Sequence, residues 1–213
     1  MEAPMKLRYD KLGHRVVKAL EGRFFNAWYF SDCSEAAEKV FSLIPKTDVI
    51  SWGGSLTLRG LNLTTMAVEK GYKVIDRDKA KSPEERNELQ RQGLHCDTFL
   101  TSSNAITEDG QLVNIDGNGN RVAAMIYGPK QVIVVAGMNK VVQNIMDAAT
   151  RARTIAAPGN SQRFPDSKTP CNTTGACSDC LSPDSICAYI VRTRICRPAG
   201  RIKVILIGQD LGL

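Results

Sequence analysis

The run Gln131-Val132-Ile133-Val134-Val135-Ala136 carries no charge and is built mainly of β-branched residues. Such residues suit a pleated strand, and a strand with no polar face must be covered on both sides. It reads as an interior strand of a parallel sheet. A helix from Lys140 to about Arg153 follows it, and a short helix over Asn120–Tyr127 precedes it. Further back, Asp97–Ser102, Tyr72–Ile75, Asp48–Trp52 and Phe24–Phe30 read as short strands. Between them lie helical stretches over Ser34–Leu43, with Ser34 as its cap, after Ser55, and from Ser82-Pro83-Glu84-Glu85 to Gln92-Gly93. Proline at the first helical position and acids in the first turn make the last of these a strong helix start. Met1–Leu20 reads as a charged amphipathic helix rather than a signal peptide. Strands alternating with helices predict an α/β fold, a largely parallel sheet flanked by helices.

Two departures from this alternation stand out. Thr107–Gly117 contains Asp109-Gly110 between β-forming residues, the signature of a hairpin. From 158 to 187 the pattern dissolves into Pro, Gly, Ser, Asn and Cys; Ala188–Ile195 and Arg201–Ile207 then read as a C-terminal β-hairpin. No linker is visible, so residues 1–213 are expected to form a single domain.

The totals narrow the function classes. Of 213 residues, 43% are hydrophobic and 23% charged, a globular balance. No apolar run approaches the roughly 20 residues that cross a bilayer, so a cytoplasmic protein is expected. The net charge of +6 is concentrated beyond residue 150, where 9 basic face 4 acidic side chains. That suits an anionic ligand. It lacks the basic density and interleaved aromatics that nucleic-acid binding demands.

Three stretches could carry chemistry. In Gly53-Gly54-Ser55-Leu56-Thr57, a glycine pair between strand and helix lets backbone approach a ligand, with Ser55 or Thr57 contacting a phosphate or carboxylate. The same residues would also make a tight turn capped by Ser55. The run Glu108–Arg121 gathers carboxylates, amides and one guanidinium around glycines. Asn114 and Asp116 would project to the same face of a strand. Arg121 could pair with a substrate carboxylate, and Glu108 or Asp109 could act as a general base. Read blandly, this is a hairpin whose Asp and Asn residues satisfy its turns. Finally, Cys171-x5-Cys177-x2-Cys180-x6-Cys187 offers four thiolates to zinc or to an iron–sulfur cluster. The alternatives there are packed thiols or a Cys177–Cys180 disulfide, and Cys196 reads as packed or as a replacement for an outer ligand.

Taken together, Gly53–Thr57, Thr107–Arg121 and Tyr127-Gly128-Pro129-Lys130 resemble the LUD (lactate-utilisation) domain family, in particular stand-alone bacterial members with a cysteine-rich tail like Pro170–Cys187. The resemblance implies a fold like ribose-5-phosphate isomerase, glucosamine-phosphate deaminase and coenzyme A transferases. It also implies a part in oxidising lactate to pyruvate, beside iron–sulfur or other lactate-oxidation subunits. It marks Glu108, Asp116, Asn120 and Arg121 as pocket residues.

The leading expectation is therefore a protein that binds a small anionic metabolite. In it Gly53, Gly54, Ser55 and Thr57 cradle the anion, Asn114, Asn120 and Arg121 orient it, and Glu108 or Asp116 handles protons. A sugar-phosphate isomerase or transferase without a redox centre, and a non-catalytic accessory subunit, are the rivals. A homo-oligomer is compatible with all three.

Overall fold

The computed structural model describes residues 2–213. In chain order the elements are α1 (Ala3–Glu21), β1 (Asn26–Phe30), α2 (Cys33–Ser42), β2 (Val49–Trp52), α3 (Leu56–Gly60), α4 (Leu63–Glu69), β3 (Lys73–Ile75), α5 (Pro83–Gln92) and β4 (Thr98–Thr101). Then come β5 (Ala105–Thr107), β6 (Leu112–Asp116), α6 (Asn120–Ile126), β7 (Gln131–Gly137), β8 (Val141–Val142), α7 (Ile145–Arg151), α8 (Ala157–Ser161), α9 (Pro170–Thr174), β9 (Tyr189–Thr193) and β10 (Ile202–Ile207).

β7 lies inside a six-stranded sheet of order β1-β10-β7-β4-β2-β3, and every pairing in it is parallel. Alternation along β7 explains why it carries no charge. Val132, Val134 and Ala136 enter one core, with Tyr9, Val16 and Leu20 of α1 and Met125 of α6. Ile133 and Val135 enter the other, with Ala36 and Val40 of α2, Leu58 of α3 and Leu63 of α4. Each of these valines and isoleucines is fully buried, and each contributes about 1.5–3 kcal/mol of transfer free energy. A charge on either face would meet a packed core.

A second, four-stranded sheet has the order β8-β5-β6-β9. Its centre is the expected hairpin, β5 antiparallel to β6. Ala105, Val113 and Ile115 pack there against Ala148 and Ala152.

Several local expectations are corrected. Asp32, not Ser34, caps α2, its carboxylate accepting the Ser34 amide at 2.6 Å. The helix expected from Lys140 begins only at Ile145. Val141-Val142, both β-branched, pair with Ile106 and Thr107 instead, and Asn144 then caps α7 by accepting the Met146 and Asp147 amides. That helix also outlasts Pro158. A π-helical turn over Ala152–Ala156 joins α7 to α8, and the wider turn accommodates a proline that lacks an amide donor and would crowd the preceding carbonyls.

Both C-terminal strands form, and they enter different sheets. β9 pairs antiparallel with β6, whereas β10 runs parallel between β1 and β7. The burial patterns show why. β10 buries Ile202, Val204, Ile205, Leu206 and Ile207 on both faces, as an interior strand must. β9 leaves Tyr189 and Ile190 exposed and tolerates an edge.

Candidate functional site

A cleft of about 290 Å³ opens at the carboxyl ends of β2, β4 and β7, where open parallel sheets place their ligand sites. Gly54 and Ser55 line it after β2, Arg77 after β3, Thr101 to Asn104 after β4, and Lys140 after β7. The end of β6, from Ile115 to Asn118, and the helical turns around Ala156, Asn160 and Arg163 close it from the other side. Residues of both sheets thus line the cleft.

Arg121 is the hub of the wall and is not a free ligand for a substrate. One terminal nitrogen donates to Ser102 O at 3.0 Å and Asn114 Oδ1 at 2.7 Å. The other donates to Asn104 Oδ1 at 2.9 Å and Ile115 O at 2.7 Å. Its Nε faces Asp116 at 3.5 Å, and the side chain is 13% exposed. A guanidinium has five N–H groups; four are bonded to protein oxygens and the fifth, on Nε, faces Asp116. Arg121 therefore aligns the end of β4, Asn104 and β6. Asn114, with no exposed surface, stands behind this network; its Nδ2 has no partner. Asp116 and Asn120 do line the cleft. Asp116 also accepts the Gly119 amide at 2.9 Å, which shapes the turn into α6.

The glycine pair admits arginines. A β-carbon at Gly53 would come within 2.9 Å of Arg121 Cδ, and one at Gly54 within 2.4 Å of an Arg77 terminal nitrogen. Ser55 caps α3 by accepting the Leu58 amide. Thr57 is buried, and its hydroxyl accepts a hydrogen bond from Lys140.

Glu108 lies apart from the cleft lining. It pairs with Arg15 of α1, and Asp109 pairs with Arg23. These two acids clamp the hairpin tip onto α1 and the turn that follows it, so tertiary docking explains them without proton chemistry.

Sequence reasoning missed the basic side chains that give the cleft its character. Arg77, Arg86, Arg163 and Lys140 all line it, against Asp116 as the carboxylate in the wall. Burial pulls the Arg77 guanidinium below its ordinary range, against the pull of neighbouring Asp78, and its buried Nε has no hydrogen-bond acceptor. Burial acts on Lys140 more strongly. Together with the cations of Arg151 and Arg121, it brings the amine down to about 7. No local motif marks these residues, because they come from four separate segments. Only the position of Lys140, just past the most apolar strand, offered a signal.

The four tail cysteines are free thiols. Cys187 is pushed up by burial and then by the proximity of Cys177, Cys171 and Cys180, so the four share one neighbourhood. As placed they do not make a ligand set: among the described residues no three His, Cys, Asp or Glu side chains are disposed to hold an ion. Cys196 is packed in the core, as expected. No described helix is long and apolar enough to cross a membrane.

Among solved structures, a DUF162 family protein from Deinococcus radiodurans is similar over 93% of this chain and 98% of that one, with a TM-score of 0.54 and 14% identity. At that identity the likeness is one of fold. The δ subunit of eIF2B from Chaetomium thermophilum is more distant, with a TM-score of 0.33 and 16% identity over 66% of this chain and 54% of that one. No curated protein matches. The LUD domain model matches residues 13–207, which span both sheets and every residue of the cleft wall named above. This chain belongs to the LUD domain family.

Proposed function

We propose that the cleft binds a small carboxylate or phosphorylated metabolite and that the protein serves lactate-type 2-hydroxy acid utilisation, beside iron–sulfur or other lactate-oxidation subunits. One observation carries the binding part: Arg77, Arg86, Arg163 and Lys140 converge on one cleft, and the buried Arg77 Nε, 3.9 Å from Asp78 Oδ1, makes no hydrogen bond. A buried donor without a hydrogen bond costs roughly 1–3 kcal/mol, and an anion seated in the cleft would remove that cost. Membership of the LUD family supports the lactate part.

Calorimetric titration at low salt with lactate, pyruvate, ribose 5-phosphate and inorganic phosphate tests this reading. A 2-hydroxy or 2-oxo acid should bind, and Arg77→Gln should weaken binding by about tenfold or more without loss of the circular dichroism spectrum. Binding of the sugar phosphate alone would favour an isomerase-like or transferase-like enzyme. Silence from all four would remove the proposal.

We also propose that Cys171, Cys177, Cys180 and Cys187 take zinc or an iron–sulfur cluster, which requires the tail to draw the thiols together from their positions here. No chemical step is assigned to that group. Anaerobically purified protein should carry stoichiometric zinc, or iron with matching sulfide, and Cys177→Ser with Cys180→Ser should abolish it. Metal-free wild-type protein would end this part of the reading.

A further inference from the structure

Lys140 has an environment that anion binding alone does not explain. It closes the single helical turn Met138–Lys140 at the end of β7 and is 4% exposed. That turn is held by the Met138 amide on Gln209 O and by Asn139 Oδ1, which accepts the Leu211 amide. No carboxylate pairs with Lys140 among the described residues. The charged groups that act on it are both cations, Arg151 of α7 and Arg121 of α6. Burying an ammonium without a counter-ion is costly, and beside two guanidiniums more so.

The hydrogen bonding leaves one position on the amine unused. Nζ lies 3.0 Å from Thr57 Oγ1 and 3.0 Å from Ser102 Oγ. Each hydroxyl has an acceptor of its own within reach, Thr57 Oγ1 for Ser102 at 3.4 Å and Leu211 O for Thr57 at 3.3 Å. Each can therefore accept from the lysine. With two acceptors on nitrogen, one position remains, a third N–H on an ammonium and a lone pair on a neutral amine. Lys140 lines the cleft, which gives that lone pair a destination.

Resting on the anion-cleft reading above, we propose that Lys140 is the reacting nucleophile of the cleft. Its side-chain amine condenses with the carbonyl of a small carboxylate that carries an aldehyde or ketone beside the acid group. In the first step Nζ attacks the carbonyl carbon, an N–C bond forms, and the C=O π pair moves to oxygen. One proton passes from nitrogen to that oxygen. The hydroxyl then leaves with a second proton as water while the nitrogen lone pair closes the C=N bond. Amine, carbonyl and one proton give an iminium ion and water, with no oxidant or reductant consumed. Desolvation beside other cations is a recognised way of readying lysine for this chemistry. Burial and the two arginines, which bring the amine to about 7, favour the form that carries the lone pair.

The test incubates the full chain with glyoxylate, and separately with pyruvate, then adds sodium cyanoborohydride and maps the adducts by mass spectrometry. One adduct per chain is expected on Lys140, with the mass of the 2-oxo acid less one oxygen. Its rate should rise with pH to a plateau and reach half-maximum near pH 7, because only the deprotonated amine attacks. Lys140→Met should abolish it. Should that variant fold poorly, the peptide map of the wild-type chain still decides, by the share of label on Lys140 against Lys18, Lys46 and Lys70 on the surface. Equal or greater labelling of those lysines overturns the proposal. Calorimetric binding of pyruvate with no adduct on Lys140 also overturns it, leaving the anion cleft standing with Lys140 as a base or a simple ligand. Absence of both binding and adduct overturns the nucleophile and the 2-oxo acid reading of the cleft, whose phosphate reading is then decided by the titration above.

Discussion

Arg121→Ala should destabilise the protein by about 3–5 kcal/mol, the range for removing one partner of a buried charged network. At this chain length that corresponds to a fall in Tm of roughly 10 °C. The size follows from what is left behind. Deleting the guanidinium takes a charged donor from each of Asn104 Oδ1, Asn114 Oδ1, Ser102 O and Ile115 O and removes the cation beside Asp116. Arg121→Lys should recover less than half of the loss, since one ammonium cannot serve four acceptors that a planar fork reaches together. Anion affinity should fall in the Ala variant well below its melting temperature, because Ser102, Asn104 and Asp116 lose the group that aligns them around the cleft. Urea denaturation of the two variants beside wild type checks the stability order. A shift of under 2 °C for Arg121→Ala would mean that water replaces the guanidinium and that the network is not a structural hub.

Gly110→Ala should be comparably damaging for a different reason. Gly110 has φ +85°, and a β-carbon there would lie 2.6 Å from the Ala19 carbonyl carbon and 2.7 Å from Leu20 N. These are backbone atoms of α1, which cannot swing aside as a side-chain tip can. Left-handed strain of roughly 1–2 kcal/mol adds to an overpacking cost of roughly 1–3 kcal/mol. The β5–β6 hairpin would be lifted from α1 against the Arg15–Glu108 and Arg23–Asp109 pairs. Gly71→Ala is the matched control. Its φ is +74°, but nothing lies within 4 Å of the added carbon, so it should show the strain alone. Hydrogen exchange over 105–116 should quicken in Gly110→Ala and stay unchanged in Gly71→Ala. Equal exchange in the two variants would show that the hairpin tip does not depend on α1.

The β-branched run at β7, the Asp109-Gly110 hairpin and the Ser82-Pro83 helix start were legible in the chain because each is a local rule. A strand buried on both faces must be apolar at every position, and a two-sided core then follows. The Gly53–Thr57 and Glu108–Arg121 stretches were also recognisable as unusual, and Gly54, Ser55, Asp116 and Asn120 do line the cleft. Their roles were less legible. A run of Asp, Asn and Arg looks the same whether its guanidinium awaits a ligand or is bonded to its own strand. Only the contacts distinguish Arg121 as a hub and Glu108 as a clamp. The same holds for the two C-terminal strands. Each is β-rich and they are neighbours in sequence, yet pairing depends on which sheet can bury which face.

From residues alone came the fold class, the position of the interior strand and the family resemblance, since periodicity, turn chemistry and motif order are properties of neighbours along the chain. The basic cleft came from folding. Arg77, Lys140 and Arg163 lie up to 86 residues apart in the chain, and nothing local to any of them announces a charge about to be buried. Desolvation and the Coulomb field of Arg121 and Arg151 act through space. The character of the Lys140 amine therefore exists only once the parallel sheet has brought those segments to one edge.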